Sequence, residues 1–405
     1  MPLALLALAM GAFGIGTTEF VATGILPQVA DSFGVSIPSA GYLVTAYAVG
    51  VVVGAPVMTL LGTRMSRKSM LALLMGVFVA GNALCAAAPD FALLLLGRVL
   101  ASFAHGAFFG IGSVVAADLV APHRRASAIS MMFSGLTVAN VAGVPLGTLV
   151  GQAAGWRVTF VLIALLGVLG VAGVLCFVPA DRRPERVGVA GEAAALRNPQ
   201  VLLAMLMTVL GFGGVFAAVT YIAPILTEVA SFPESSVSGL LVVFGCGLVL
   251  GNIIGGRLAD KRLMPMLCTT LALLSVTLLC FSLAASHQVA AVVLTFLIGV
   301  FGFATVPPLQ KRVLDNAAGA PTLASSLNIG AFNLGNAIAA WLGGLTISAG
   351  FGYASSSAVG AVMAAAALLT AVASGRLESR QRRTAPRPDP LPVPAHAEGT
   401  LDHAP

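Results

Sequence analysis

Apolar runs long enough to cross a bilayer recur along almost the whole chain. About 20 apolar residues span a hydrocarbon core of ~30 Å, and runs of that length centre near residues 15, 50, 79, 106, 138, 168, 212, 247, 275, 301, 336 and 363. A helix satisfies its own backbone in lipid and an open strand cannot, so twelve runs predict twelve transmembrane helices and an all-α membrane protein. Outer-membrane barrel strands would read as segments of ~10 residues with alternating polarity, and the sequence has no such pattern. Composition agrees: charged residues are 9% of the 405, against about 25% in a soluble domain. The first run, Leu3 to about Ile25, lacks a basic lead and is longer than the ~7 to 15 apolar residues of a signal peptide. It is expected to be a retained first span.

Lysine and arginine set the expected orientation. With the N-terminus inside, every basic residue except Arg98, within span 4, and Arg157, in an outer loop, falls in a cytoplasmic loop or the tail. Both termini are therefore expected to be cytoplasmic, and the net charge of +6 is topological rather than a nucleic-acid footprint. Five scattered cysteines show no metal-ligand or disulfide spacing.

The polar stretch 181–198 separates six spans from six, predicting one bundle over 1–180, a linker, a second bundle over 199–375, and a basic, proline-rich tail over 376–405 that is expected to be disordered. The halves resemble each other. Gly62 opens the basic turn GTRMSRK after span 2 and Gly256 opens GGRLADKR after span 8, while Asn140 and Gly147 align with Asn336 and Gly343 at an offset of 196. Two pseudo-symmetric six-helix bundles of like orientation suit a rocking transporter with its site between the halves.

Specific motifs sharpen this. Thr18-Glu19-Phe20, LLGRVLASFAHGAFFGIG (95–112), SGLTVANVAGVPLGTLVG (134–151), Gly155-Trp156-Arg157 and GGRLADKR resemble the major facilitator superfamily, in particular its twelve-span drug:proton antiporter branch with sugar exporters and chloramphenicol-efflux proteins. The resemblance covers residues 1 to about 375. It implies proton-coupled efflux of a small organic molecule, drug or sugar, by alternating access, in a bacterial cytoplasmic membrane. It implies no cofactor beyond the proton gradient, and partners limited to substrate and bilayer, with the monomer as the working unit. It also assigns gating loops to Gly62, Arg67 and Lys68 and to Gly256, Asp260 and Arg262, and an antiporter motif to Gly143, Pro145, Gly147 and Gly151. Two departures stand out: Ser66 replaces the usual loop aspartate, and Val144 separates Gly143 from Pro145.

Gly143, Gly147 and Gly151 recur every four residues and form a bare ridge that lets another backbone approach closely. Ordinary helix packing explains such a ridge; closure against span 11, with Gly335, Ala339 and Gly343, is the functional alternative. Pro145 removes a backbone donor inside the same helix and should bend it.

Glu19 lies about 24 Å along span 1, and Arg98 ~10 Å into span 4 from the opposite face, so the two stand at similar depth. A carboxylate at the bilayer centre costs at least ~2.5 kcal/mol and usually finds a partner; Arg98 is the natural one. His105, two turns further on nearly the same face, suits proton exchange around neutrality. Glu19 is thus the expected proton carrier, with Arg98 responding and His105 as a second titrating group. The plainer alternatives are a structural charge lock and a packing histidine. Asn140 and Asn333 are candidate cavity hydrogen bonders or interhelical glue, and Tyr221 is a further polar candidate. Phe108, Phe109, Phe212 and Phe216 fall in spans 4 and 7, which the resemblance places on the cavity wall; some face lipid or core.

Hydrolase, zinc-protease, P-loop and dinucleotide motifs are missing from the sequence, so an enzymatic reading has no support. A channel would call for rings of charge or carbonyls in a symmetric oligomer, which a duplicated chain with one buried acid and one buried base does not suggest. A proton-independent facilitator or an importer remains open beside efflux.

Overall fold

The computed structural model describes residues 3–62, 65–121, 125–179, 198–317 and 321–384. Twelve helices in it are long and apolar enough to cross a membrane: Leu3–Gly24, Ile37–Met58, Arg67–Ala87, Phe91–Ala116, Met131–Ala154, Trp156–Phe177, Pro199–Val219, Glu234–Ala259, Arg262–Ala284, Gln288–Asn316, Leu327–Phe351 and Ser355–Ser379. These are spans 1 to 12, and each falls on one of the twelve apolar runs. Residues 181–197, 385–405, Arg64 and Arg124 lie outside the described residues. Because the number of spans is even, both ends of the bundle's chain lie on one side, here the terminal end; the opposite side is the far end.

Local chemistry starts and breaks the helices. Ser66, at the position expected to be acidic, caps span 3 by accepting the Ser69 N–H at 3.2 Å. Asp90 caps span 4 from Leu93 at 2.8 Å. Asn198 caps span 7 from Gln200 at 2.9 Å, with Pro199 at the first helical position. Gly155, at φ +92°, turns span 5 directly into span 6, a conformation that favours glycine. Pro145 is accommodated by a wide π turn over Ala139–Gly143 instead of a simple bend, which keeps the missing donor from breaking the helix.

Spans 1 and 7 are each interrupted at their far ends, at Ile25 (φ −111°, ψ 12°) and Tyr221 (φ −108°, ψ 21°). The two breaks share a backbone conformation and stand at the same offset of 196 that relates Asn140 to Asn336. The repeat read in the sequence therefore extends to backbone geometry.

The glycine ridge of span 5 faces span 1 within its own half, not span 11. A Cβ on Gly143 would strike Thr17, one on Gly147 would lie 2.7 Å from Val21, and one on Gly151 would lie 2.6 Å from Ile25. Span 11 repeats the arrangement against span 7, with Gly335 on the Val209 backbone and Gly343 against the Tyr221 ring at 3.1 Å. Ordinary helix packing, the plainer of the two readings, is what these contacts show, and the alternative closure of span 5 on span 11 is corrected: the Thr17, Val21 and Ile25 side chains of span 1 fill the bare ridge and leave it no room for a second helix.

The halves meet at the far end. One continuous apolar core joins Phe20, Ile25 and Leu26 of the first half to Phe216, Ile222, Leu226 and Leu241 of the second, whereas toward the terminal end each half keeps a separate core. Polar ties cross the same seam: the Ser238 hydroxyl donates to the Pro145 carbonyl at 2.7 Å and Gln152 Nε2 to the Glu234 carbonyl at 2.9 Å. Tyr221 is the wedge. Its hydroxyl donates to the Ala340 carbonyl at 2.9 Å, and Gly41 of the chain entering span 2 and Gly344 of span 11 both pack against that hydroxyl.

At the terminal end two ion pairs among the described residues each lie within one half, Arg67 with Asp118 at 2.6 Å and Arg312 with Glu378 at 2.8 Å. Lys68 is half-buried and Gly256 has open space around its Cα, while Arg262, exposed, carries the non-helical backbone (φ −150°, ψ 77°) that separates span 8 from span 9. The Asp260 side chain lies outside the described residues.

Two measurements check this packing. Gly151→Val should lower stability by roughly 1–3 kcal/mol through overpacking, seen as a fall in the detergent unfolding midpoint, while Gly239→Ala, on an exposed helix face with open space, should raise stability by up to about 1 kcal/mol. Gly41→Val should prevent Tyr221 from seating; spin labels at Asp31 and Ser235 should then report a longer far-end distance than in the parent chain.

Candidate functional site

Four residues of the described spans that can carry charge or a proton, Glu19, Tyr47, Arg98 and His105, gather between spans 1, 2 and 4. Arg98 is fully buried, and its charge is met by dipoles. Nε donates to the Leu43 carbonyl at 3.2 Å, one terminal nitrogen to the Thr18 carbonyl at 2.6 Å and the Thr18 hydroxyl at 3.3 Å, and the other to the Glu19 carbonyl at 3.4 Å. A helical carbonyl has two lone pairs and can accept a second bond without giving up its helix partner. The Arg98 guanidinium also lies over the Tyr47 ring, 4.4 Å from its centroid, a cation–π contact of ~2 kcal/mol when desolvated.

The expected side-chain pair of Glu19 with Arg98 is not formed. Arg98 binds the backbone of Glu19, while the Glu19 carboxylate faces His105, Oε2 to Nδ1 at 3.9 Å. The reason is helix direction. Side chains tilt toward the N-terminus of their helix, so Glu19 leans toward the terminal end and leaves the depth of its own Cα. On span 4, which runs the opposite way, His105 leans back toward it. Both are nearly buried, Glu19 at 8% and His105 at 6% exposure. His105 Nδ1 also lies 3.3 Å from the Tyr47 hydroxyl, and its ring packs on Phe109 at 5.2 Å.

Span 3 closes the cluster from behind. The Thr18 hydroxyl donates to Asn82 Oδ1 at 2.6 Å, and Asn82 Nδ2 returns to the Phe78 carbonyl at 2.9 Å. Tyr47 is the member of the cluster that the sequence analysis does not single out. Its depth, about 9 Å along the helix from Gly41, matched that of Arg98 and was the available signal.

The expected cavity residues divide. Phe109 sits beside His105 and stacks on Phe133 at 5.1 Å, whereas Phe108 fills the first-half core against Gly11. Phe212 anchors an aromatic group with Phe216, Phe303 and Phe332, centroids 4.9 to 5.6 Å apart. Phe216 reaches across to Phe20 at 5.3 Å. Tyr221 sits in the far-end seam described above rather than on a cavity wall. Asn140 and Asn333 both donate to the carbonyl four residues back, at 2.9 and 3.0 Å, and the buried Asn333 Oδ1 has no protein partner. Gly143, Pro145, Gly147 and Gly151 belong to the span 1–span 5 interface, with the Pro145 carbonyl also tied to Ser238 across the halves.

This site consists of a buried acid, an imidazole and a caged cation, set in a duplicated twelve-helix bundle. Such a site can exchange a proton and sense it, and it lacks the nucleophile–base geometry of a hydrolase.

The chain is 49% identical over 372 residues to the inner membrane transport protein YdhP of Escherichia coli (strain K12), covering 92% of this chain and 96% of the relative. It is 38% identical over 345 residues to the chloramphenicol resistance protein of Streptomyces lividans, covering 83% and 87%. The solved structure of a D-xylose-proton symporter superposes with a TM-score of 0.74 at 15% identity, over 91% of this chain and 96% of that one, which shows the fold. The Major Facilitator Superfamily profile matches residues 8–328 and 242–399; the chain belongs to that superfamily and is a membrane transporter of a small molecule.

Proposed function

We propose that this transporter exports a small organic molecule in exchange for protons. The observation that carries the reading is the pairing of the buried Glu19 carboxylate with His105, beside an arginine whose charge is already satisfied by backbone dipoles. With Arg98 committed to carbonyls, Glu19 is free to gain and lose a proton. A bound proton removes a charge that costs at least ~2.5 kcal/mol in the membrane.

Residues 1–180 and 199–375 act as the two rocking bodies, joined by the linker 181–198; the last helix runs on to Thr384 and Glu378 binds Arg312, so the start of the expected tail, 376–384, is helical rather than disordered and moves with the second body. Both termini face the cytoplasm, as the basic loops direct, and the protein works as a monomer in a bacterial inner membrane, in keeping with the names of its relatives. In that orientation the far-end seam closes the outer face. The substrate passes between the halves, past Phe109 on one side and the Phe212–Phe216–Phe332 group on the other, with Asn140 and Asn333 as hydrogen bonders. Aromatic walls with few polar groups suit a lipophilic solute such as a phenicol more than a bare sugar. Arg67, Lys68 and Arg262 gate the terminal end.

Everted vesicles energised to an acid interior test this. Chloramphenicol, L-arabinose and a lipophilic cation are added in turn, and release of the pH gradient is followed. One of them, by this reading chloramphenicol, should release the gradient with the wild-type protein, and Glu19→Gln should reduce that release at least about tenfold, equivalent to ~1.4 kcal/mol. Labelled solute that crosses with no release of the gradient would make the protein a proton-independent facilitator and return Glu19 to a structural role.

A further inference from the structure

We propose that Tyr47 is the positioning residue that passes the protonation state of the Glu19–His105 pair to span 2 and so to the closed seam between the halves. The proposal rests on the reading of Glu19 as the proton carrier. It is carried by the competition of two groups for one atom: His105 Nδ1 stands 3.3 Å from the Tyr47 hydroxyl and 3.9 Å from Glu19 Oε2.

A ring nitrogen either accepts a hydrogen bond or donates one. Without a proton, Nδ1 accepts the phenol hydrogen of Tyr47 and ties span 2 to span 4. With a proton on Glu19, the carboxyl group donates to Nδ1 and takes the lone pair that accepted Tyr47. The arriving proton adds to Glu19 Oε2, a hydrogen bond from Oε2 to Nδ1 replaces the one from Tyr47, and the tie between spans 2 and 4 is lost. Tyr47 cannot follow by rotating away, because its ring is held under the Arg98 guanidinium at 4.4 Å and the side chain is only 2% exposed. The loss is therefore felt by the helix that carries it.

Span 2 is well placed to report that loss. Gly41, six residues before Tyr47, packs against the Tyr221 hydroxyl at the far-end seam, about 9 Å away along the helix. Span 2 thus touches the proton site through one residue and the second half through another. The titratable and charged groups facing Tyr47 and His105 are Glu19 from span 1 and Arg98 from span 4, with Cys85 of span 3 beside Arg98; span 5 and span 7 contain no ionisable residue.

The test uses the full chain in lipid nanodiscs with its native cysteines replaced, spin labels at Asp31 and Ser235, and electron–electron distance measurements from pH 5 to pH 9 without added substrate. The wild-type seam should shift its open-to-closed ratio with pH, and Glu19→Gln should abolish the shift. Tyr47→Phe keeps the ring and loses only the hydroxyl, so it should retain thermal stability while the pH-driven change in the ratio shrinks about 3- to 10-fold, the worth of one hydrogen bond. Tyr47→Leu, which also uncovers Arg98, should lose stability as well. A wild-type pH response in Tyr47→Phe overturns the proposal and leaves the Glu19 reading standing. A seam that ignores pH in the wild-type protein overturns both.

Discussion

The arrangement of spans 1, 2 and 4 depends on how one cation is kept in the membrane. Arg98 is fully buried, and an uncompensated guanidinium at that depth would cost at least ~2.5 kcal/mol. Three helical carbonyls, one hydroxyl and an aromatic face meet it instead. Those partners come from spans 1 and 2, so the position of three helices is fixed by the needs of a single side chain. A further result is that the Glu19 carboxylate is left facing His105 rather than the guanidinium.

The first half holds this polar cluster and the second half does not. Spans 7 and 8 and the membrane-embedded part of span 10 have no charged side chain at the matching depth, and the corresponding volume is filled by Phe212, Phe216, Phe303 and Phe332. The backbone repeat is still plain, since the breaks at Ile25 and Tyr221 have nearly the same torsions. At that equivalent pair the first half has a methyl-bearing side chain pressed on Gly151, and the second a phenol hydrogen-bonded to Ala340. Duplication supplied the frame, and side-chain divergence put the buried charges of this depth in one half and an aromatic group in the other.

The sequence made the twelve spans legible because the bilayer imposes length and apolarity on each independently. The Gly143–Gly147–Gly151 ridge was also visible as a ridge, but its partner was not, because a bare face fits any helix that can approach it. The pairing of Glu19 was misread for a definite reason: depth was counted at Cα, and the tilt of side chains on antiparallel helices moves the carboxylate toward His105 and away from Arg98. Ser66 read as a lost carboxylate, yet it performs the capping that an aspartate would also perform there. Tyr221 was recognisable only as polar, since its role depends on glycines in two distant spans.

The two ends of the bundle are held by forces that answer to different features of the surrounding medium. The far-end seam is apolar, tight at glycines and closed to solvent, so dissolved salt has little to act on, whereas cooling weakens the burial that holds it. The terminal end relies on Arg67–Asp118 and Arg312–Glu378, with carboxylates 48% and 28% exposed, and these are screened within about 8 Å at physiological ionic strength. A change in salt therefore loosens contacts inside each half at the terminal end and leaves the seam between the halves as it was, so how firmly each half holds its shape there is a property of the solution as well as of the chain.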